Sequence, residues 1–381
     1  MTLAVGLGAA AIPAASAEPV TGWQVSFQSA YDTHLNDLAA TDSGNAWAAG
    51  RYTTDEFDPR NGSYFTAPLL RRWNGTEWIQ AAVPRGPRGF PLREITLIEA
   101  SAPGDVWTAG VAIAPEPSDI TEATRSVVSR WDGRRWRIAA SDAGTVLDLD
   151  VLGGRHAWTV SVDEQTRQVS FRHFLDGRPR TLPAPDGLRE VSVRAPDDIW
   201  GVAGGRLVHW DGRAWETVAL PEIEVPAAPD PNYGEVTPRI DEVLTVGPQD
   251  VWVAVGFQQG DWSQPGTALL RWNGAGWAET RLPALNVRLL AGDGAGGFWA
   301  AANEETITAT PEAGDPYSYT TVSIGTLRYQ GGELTRQELT SPRTGFHWAA
   351  LAAIPGTGSA LAAGYRYSSV EQGPVVYRYG S

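Results

Sequence analysis

Hydrophobic and polar positions along the chain alternate in short runs, each cut off by glycine, proline, asparagine or aspartate. Residues 188 to 220, LREVSVRAPDDIWGVAGGRLVHWDGRAWETVAL, show the pattern most compactly. Four stretches rich in β-branched and aromatic residues follow one another there, separated by Pro-Asp-Asp, Gly-Gly and Asp-Gly turns. Period-two alternation with such breaks predicts short antiparallel strands joined by hairpins. No segment holds a long helical period.

The pattern recurs. A tryptophan in a GDVW-like setting stands at 47, 107, 158, 200, 252 and 299, and Leu361 takes the same slot, giving spacings of 60, 51, 42, 52, 47 and 62 residues. Behind four of these comes Trp-[Asp/Asn]-Gly-x-x-Trp: Trp73 and Trp78, Trp131 and Trp136, Trp210 and Trp215, Trp272 and Trp277. Seven four-stranded units at this period predict an all-β fold, a seven-bladed β-propeller. The seventh unit runs out after its third strand, GPVVYRYGS, whereas TGWQVSF near the amino terminus carries Trp23 in a fourth-strand setting. The amino-terminal strand is therefore expected to complete the last blade and close the ring. The paired tryptophans then read as packing between neighbouring sheets, since regular recurrence is what an architectural constraint produces.

These units resemble the Trp-rich blades of secreted bacterial propellers of the kelch-like and tectonin-like kind, unit four most closely. The tectonin resemblance implies binding of glycans or cell surfaces. It carries over no individual ligand residue.

Composition narrows the chemistry. All 30 basic residues are arginine, so lysine Schiff bases and Walker-type phosphate lysines are excluded, and there is no cysteine for thiolate catalysis or metal thiolates. A net charge of −14 disfavours nucleic acid and anionic membranes. Residues 1–17 are apolar and end in Ala15-Ser16-Ala17, the form of a signal-peptidase site, so export is expected, with 18–381 forming one propeller domain. Pro13 breaks a run already too short to span a bilayer, and no membrane insertion is expected. A monomer without metal or cofactor is expected.

The hairpins split the candidate chemistry between two faces. Turns between first and second strands and between third and fourth strands barely vary, so that face reads as scaffold. Insertions fall on the opposite face, in residues 52 to 68, 111 to 126, 257 to 267 and 303 to 325, and are expected to be long loops. Residues 84 to 94 and 221 to 239, between fourth and first strands, add to them, and the aromatic residues of this face, Tyr64, Tyr233, Trp262, Tyr319, Trp348 and Tyr365, are candidates to stack on a sugar or anchor a protein partner, or to pin their own loops. The starts of the innermost strands bring Asn36, Asp37, Asp148, Arg189, Glu190, Asp241, Glu242, Arg288 and His347 to the channel mouth on the same face. These charges read either as ion pairs around a polar pore or as a cup for a hydroxyl-rich ligand or a basic side chain. The first functional expectation is non-catalytic binding of an extracellular glycan or protein. The alternative is a carbohydrate-active hydrolase or lyase using carboxylates such as Glu190 with Asp241 or Glu242. Residues 42 to 45 and 148 to 154 read first as polar turns and second as Ca²⁺ loops.

Overall fold

The computed structural model describes residues 22–29, 32–58, 62–114, 124–228, 231–308, 318–339, 345–367 and 372–380. The expected signal segment, residues 1–17, lies outside them. Among the described residues, twenty-eight strands form seven four-stranded antiparallel sheets. Blade 1 is β2 (Thr33–Asp42), β3 (Asn45–Asp58), β4 (Ser63–Trp73) and β5 (Trp78–Gln80). Blade 2 is β6 (Leu92–Ala102), β7 (Asp105–Ile113), β8 (Thr124–Trp131) and β9 (Trp136–Asp142). Blade 3 is β10 (Thr145–Leu152), β11 (His156–Val162), β12 (Val169–Leu175) and β13 (Arg178–Leu182). Blade 4 is β14 (Leu188–Ala195), β15 (Asp198–Ala203), β16 (Arg206–Trp210) and β17 (Trp215–Val218). Blade 5 is β18 (Val236–Gly247), β19 (Asp250–Gln259), β20 (Trp262–Trp272) and β21 (Trp277–Leu282). Blade 6 is β22 (Leu285–Gly292), β23 (Phe298–Thr308), β24 (Ser318–Gln330) and β25 (Glu333–Glu338). Blade 7 is β26 (Gly345–Ile354), β27 (Ser359–Tyr367) and β28 (Gly373–Tyr379), completed by β1 (Trp23–Gln28).

The ring is closed as the sequence predicts. β1 pairs antiparallel with β28, Trp23 opposite Tyr379 and Gln28 opposite Val375. Its indole Nε1 donates 3.1 Å to Thr326 Oγ1 of blade 6. Fourth-strand tryptophans elsewhere reach back in the same way: Trp78 to Ser26 Oγ, Trp136 to the Ala82 carbonyl and Trp215 to the Pro183 carbonyl. A large ring with one polar tip can fill an inter-sheet gap and still hydrogen-bond the neighbouring blade, which is why tryptophan holds this position.

The Trp-[Asp/Asn]-Gly-x-x-Trp hairpins explain themselves locally. Asn74, Asp132, Asp211 and Asn273 each accept, through Oδ1, the backbone N–H groups two and three residues on. The following glycines sit at φ of 98°, 86°, 89° and 86°, where a Cβ would be strained. The flanking tryptophans then face each other across the hairpin with ring centroids 5.5 to 5.9 Å apart.

A second repeated device recurs in blades 1 to 6, blade 7 carrying Leu361 in the tryptophan slot. The residue just before the third-strand Trp or Tyr stacks on the second-strand tryptophan: Arg72 on Trp47, Arg130 on Trp107, Arg271 on Trp252 and Arg328 on Trp299. His173, which precedes Phe174, on Trp158 and His209 on Trp200 replace the guanidinium with an imidazole. Asp105, Asp198 and Asp250, two residues ahead of the tryptophan, bind Arg130, His209 and Arg271 from the turn. Apolar cores lie between blades, as where Trp200, Val202 and Leu207 of blade 4 pack on Val236, Ile240 and Val253 of blade 5.

One expectation about the insertions is corrected. Most of the described residues in them are strand, not loop: β3 and β4 stay paired out to Asp58 and Ser63, β19 and β20 to Gln259 and Trp262, and β23 and β24 to Thr308 and Ser318. Alternating Thr, Tyr and Phe in these segments extends the existing ladder, satisfying backbone groups that a long loop would leave to water. Among the described residues no helix is long and apolar enough to cross a membrane.

Candidate functional site

The first strand of each blade lines a central channel with a cavity of about 430 Å³. It is chemically two-sided. Glu99, Asp148, Asp150, Glu190 and Glu242 line it from blades 2 to 5, and Leu290, Ala291, Leu351, Ala352 and Leu38 from blades 6, 7 and 1.

Bulges place the predicted mouth residues. Pairing slips between Leu35 and Asp37, Val146 and Asp148, Leu188 and Glu190, Ile240 and Glu242, Val287 and Leu289, and Trp348 and Ala350. Each slip inserts one extra residue, so Asn36, Arg189, Asp241 and Arg288 are the bulged residues themselves, and Asp37, Asp148, Glu190 and Glu242 follow a bulge.

The carboxylates meet backbone more than arginine. The inner edge of each first strand has no strand beside it, and its N–H groups need acceptors. Ile98 N donates to Asp37 Oδ2 (2.7 Å), Val191 N to Asp148 Oδ2 (2.6 Å), Val193 N to Asp150 Oδ2 (2.6 Å), Val243 N to Glu190 Oε1 (2.7 Å) and Thr245 N to Ser192 Oγ (2.9 Å). Donor and acceptor both advance by two residues, the strand period, so these contacts replace a ladder that channel geometry forbids. Arginines do enter at the mouth. Arg189 donates 2.6 Å to the Ile240 carbonyl and lies 3.2 Å from Glu190, Arg239 binds Asp241 at 2.7 Å, and Asn36 and Arg51 both hold Glu94.

Enclosure by seven strands raises the proton affinity of the acids. Burial raises Asp37, Asp150 and Glu190 to about 7 and Asp148 to about 6, against backbone hydrogen bonds that favour the charged form. Burial also pushes Glu99 and Glu242 well up, Glu242 further because Glu190 stands against it and shares a hydrogen bond. Asp241 is raised by burial, with Arg239, Arg288 and Arg189 opposing. Among the described residues no group of three or more His, Asp or Glu is arranged to hold a metal ion. In residues 42 to 45, Asp42 accepts from Gly44 N and Asn45 Nδ2, a polar turn.

The predicted aromatics separate. Tyr64 lies on β4 and pairs edge-on with Phe57 of β3, centroids 5.4 Å apart, with exposures of 54% and 50%. Tyr233 ends a 3-10 turn, Pro231–Tyr233, and is 44% exposed. Trp348 sits on β26 rather than on a loop, packs edge-on against Phe346 and donates 2.8 Å to Asn303 Oδ1. Tyr365 is half-buried on β27, and His347 is exposed on β26. Trp262 opens β20 and Tyr319 lies in β24, with side chains outside the described residues. Phe65 is pinned beneath Arg93, whose guanidinium lies 4.3 Å from its ring centre. Sequence reasoning missed the structural role of the arginine or histidine before the third-strand Trp or Tyr. Its signal was its recurrence in RRWNG, SRWDG, VHWDG and LRWNG.

No described protein family matches the sequence, and no curated protein does. Solved structures do. The β-propeller domain of the Trilobed protease from Pyrococcus furiosus, reported with an open velcro topology, is 9% identical and matches with a TM-score of 0.53 over 93% of this chain and 94% of that one. A polysaccharide lyase, the PL25 ulvan lyase, is 11% identical at a TM-score of 0.46 over 92% and 94% of the two chains. YCF48 bound to D1 peptide is 16% identical at 0.42 over 79% and 97%. At these identities the likeness concerns architecture: the chain is similar in fold to β-propellers and itself is a seven-bladed, β1-closed ring.

Proposed function

We propose that this chain is an exported recognition protein of the kelch-like and tectonin-like kind, binding an extracellular glycan or protein through the face that carries the second-to-third-strand hairpins. The observation behind this reading is the β3–β4 hairpin, which runs past the ends of its neighbouring strands and holds Phe57 and Tyr64 half in solvent. Two apolar rings kept exposed on an ordered hairpin serve a partner's surface better than their own packing. Asp55 and Glu56 beside them are also exposed, so a hydroxyl-rich or basic ligand suits the tip. Tyr233 and the mouth residues Arg189, Arg239 and Asp241 extend the same face.

One of the two carboxylate pairs considered for glycoside hydrolysis favours binding instead: Glu190 and Glu242 stand directly against each other, whereas an acid and its partner in that chemistry stand about 5 to 9.5 Å apart. The test is a glycan array and a panel of extracellular proteins probed with residues 18–381 and with a Phe57→Ser/Tyr64→Ser double variant. Saturable binding that the double variant loses at unchanged Tm supports the reading. Binding that both forms retain moves the site elsewhere.

A further inference from the structure

The cleft between blades 1 and 2 differs from its counterparts in one respect that points to a ligand. It has a volume of about 210 Å³ and is lined by Trp47, Leu70, Ile79, Pro103, Trp131 and Trp136 among apolar groups, with Arg72 as its cation. By comparison, an engineered cavity of about 150 Å³ takes a benzene ring.

In the matching place of other blades the guanidinium is satisfied from two sides. Arg130 binds Asp105 in its own blade and Asp176 from blade 3. Arg271 binds Asp250 in its own blade and donates 2.8 Å to Tyr329 Oη from blade 6. In blade 1 both partners are changed. Asn45, a neutral amide, holds the position of Asp105 and Asp250, and its Oδ1 accepts from Arg72 Nη2. Trp131 holds the position of Tyr329, and an indole N–H donates only. Asp42, the nearby carboxylate, is turned to Gly44 N and Asn45 Nδ2. Arg72 Nε, the atom that Asp105 and Asp250 serve in their own blades, is buried without an acceptor, and Nη1, the atom that Asp176 and Tyr329 serve from the next blade, meets neither a carboxylate nor a hydroxyl among the described residues. Arg328 also has no carboxylate there, and its Nε is likewise buried without an acceptor, but blade 7 fills that place by packing Trp23 and Tyr379 against its tryptophan, Trp299, at 5.6 and 4.8 Å.

We infer that the cleft between blades 1 and 2 binds a small planar aromatic carboxylate, its carboxylate taking the acceptor place on Arg72 that Asp176 or Tyr329 fills in other blades and its ring lying between Ile79, Trp131 and Trp136. A guanidinium on an apolar floor favours an anionic oxygen over water or a neutral ligand, here through Nη1, since Asn45 holds Nη2. The site lies beside the invariant turns, away from the hairpin face, so it stands or falls independently of the recognition reading.

The test is calorimetric titration of indole-3-acetate and of indole-3-acetamide into residues 18–381 at pH 7. Saturable binding of the acid, with the amide at least ~10-fold weaker, is expected from loss of a charge-assisted pair. An Asp42→Ala/Asn45→Asp double variant copies Ala102 and Asp105 of blade 2 and gives Arg72 its own counter-ion. It is expected to weaken the acid at least ~10-fold while Tm is kept, and Trp131→Tyr, which supplies the missing hydroxyl, is expected to act in the same direction. Equal binding of acid and amide, no saturable binding of the acid, or full binding by both variants overturns the inference.

Discussion

At the scale of single residues, the same chemical group does different work according to the edge it meets. Asp148 is a channel carboxylate whose acceptor oxygen closes on Val191 N, so its removal leaves a buried N–H without a partner. Asp148→Ala is expected to cost about 1–3 kcal/mol in urea unfolding, and Asp148→Asn, which keeps a carbonyl oxygen, clearly less. Trp107 is fully buried beneath Arg130, and Trp107→Ala is expected to cost roughly 3–5 kcal/mol by the same measurement. Asp148, Glu190 and Glu242 were legible in the sequence because they stand near the starts of alternating strands, whereas Glu99 and Asp150, further along the same kind of strand, were missed. The partners of these acids were not legible, because a bond from a side chain to the next blade's backbone leaves no mark on residue type at the donor end. Asp148 and Glu190 therefore read as a possible ligand cup until the edge N–H groups are located.

At the scale of elements, hairpin turns were the most readable features, since Asn or Asp followed by Gly is dictated by the local backbone. The extended hairpins were not. Residues 52 to 68 contain Asp, Pro, Asn and Gly in numbers that suggest a loop, and only the registry of β3 with β4 shows Thr, Tyr and Phe continuing the ladder. Trp348 was misplaced for a related reason: composition suggests a loop there, whereas β26 begins at Gly345 and includes it. Removing residues 22–28 takes away β1, leaves the β28 edge unpaired and opens the interface with blade 6 that Trp23 fills. Such a truncation is expected to lower Tm by more than any single substitution named here and to promote self-association through the bared edge, readable by calorimetry and light scattering.

At the scale of the whole molecule, two populations of acids set opposite pH trends. The channel acids bind protons more tightly folded than unfolded, so their contribution is fully present below the ordinary carboxylate range and is lost as pH rises through about 6 to 7. Hydrogen bonds lower the turn aspartates: Arg137 and neighbouring N–H groups hold Asp132 at about 2, and backbone N–H groups hold Asp211 and Asp163 below the usual range. Their contribution is present above the ordinary value and lost as pH falls through the lowered one. Stability is therefore expected to peak near pH 4–5 and to decline toward pH 8, followed by Tm against pH. Each channel acid removed should flatten the upper limb by up to about 1.4 kcal/mol per pH unit, and Glu242→Gln, which also ends the repulsion with Glu190, is the variant to compare.

The pairing of Trp23 with Tyr379 carries one more consequence. The chain's two strand ends lie side by side where every other blade has its tight turn between third and fourth strands. A two- to four-residue link of the Asp-Gly type would join them with little strain, and the backbone could then be cut at the equivalent turn of another blade, between Gly133 and Arg134 for instance. The resulting circular permutant would have blade 2 assembled from both ends of the chain and blade 7 from a continuous run. The position of the break in this ring is thus a movable property of the chain order, while the set of seven blades is fixed by how each one fits the next.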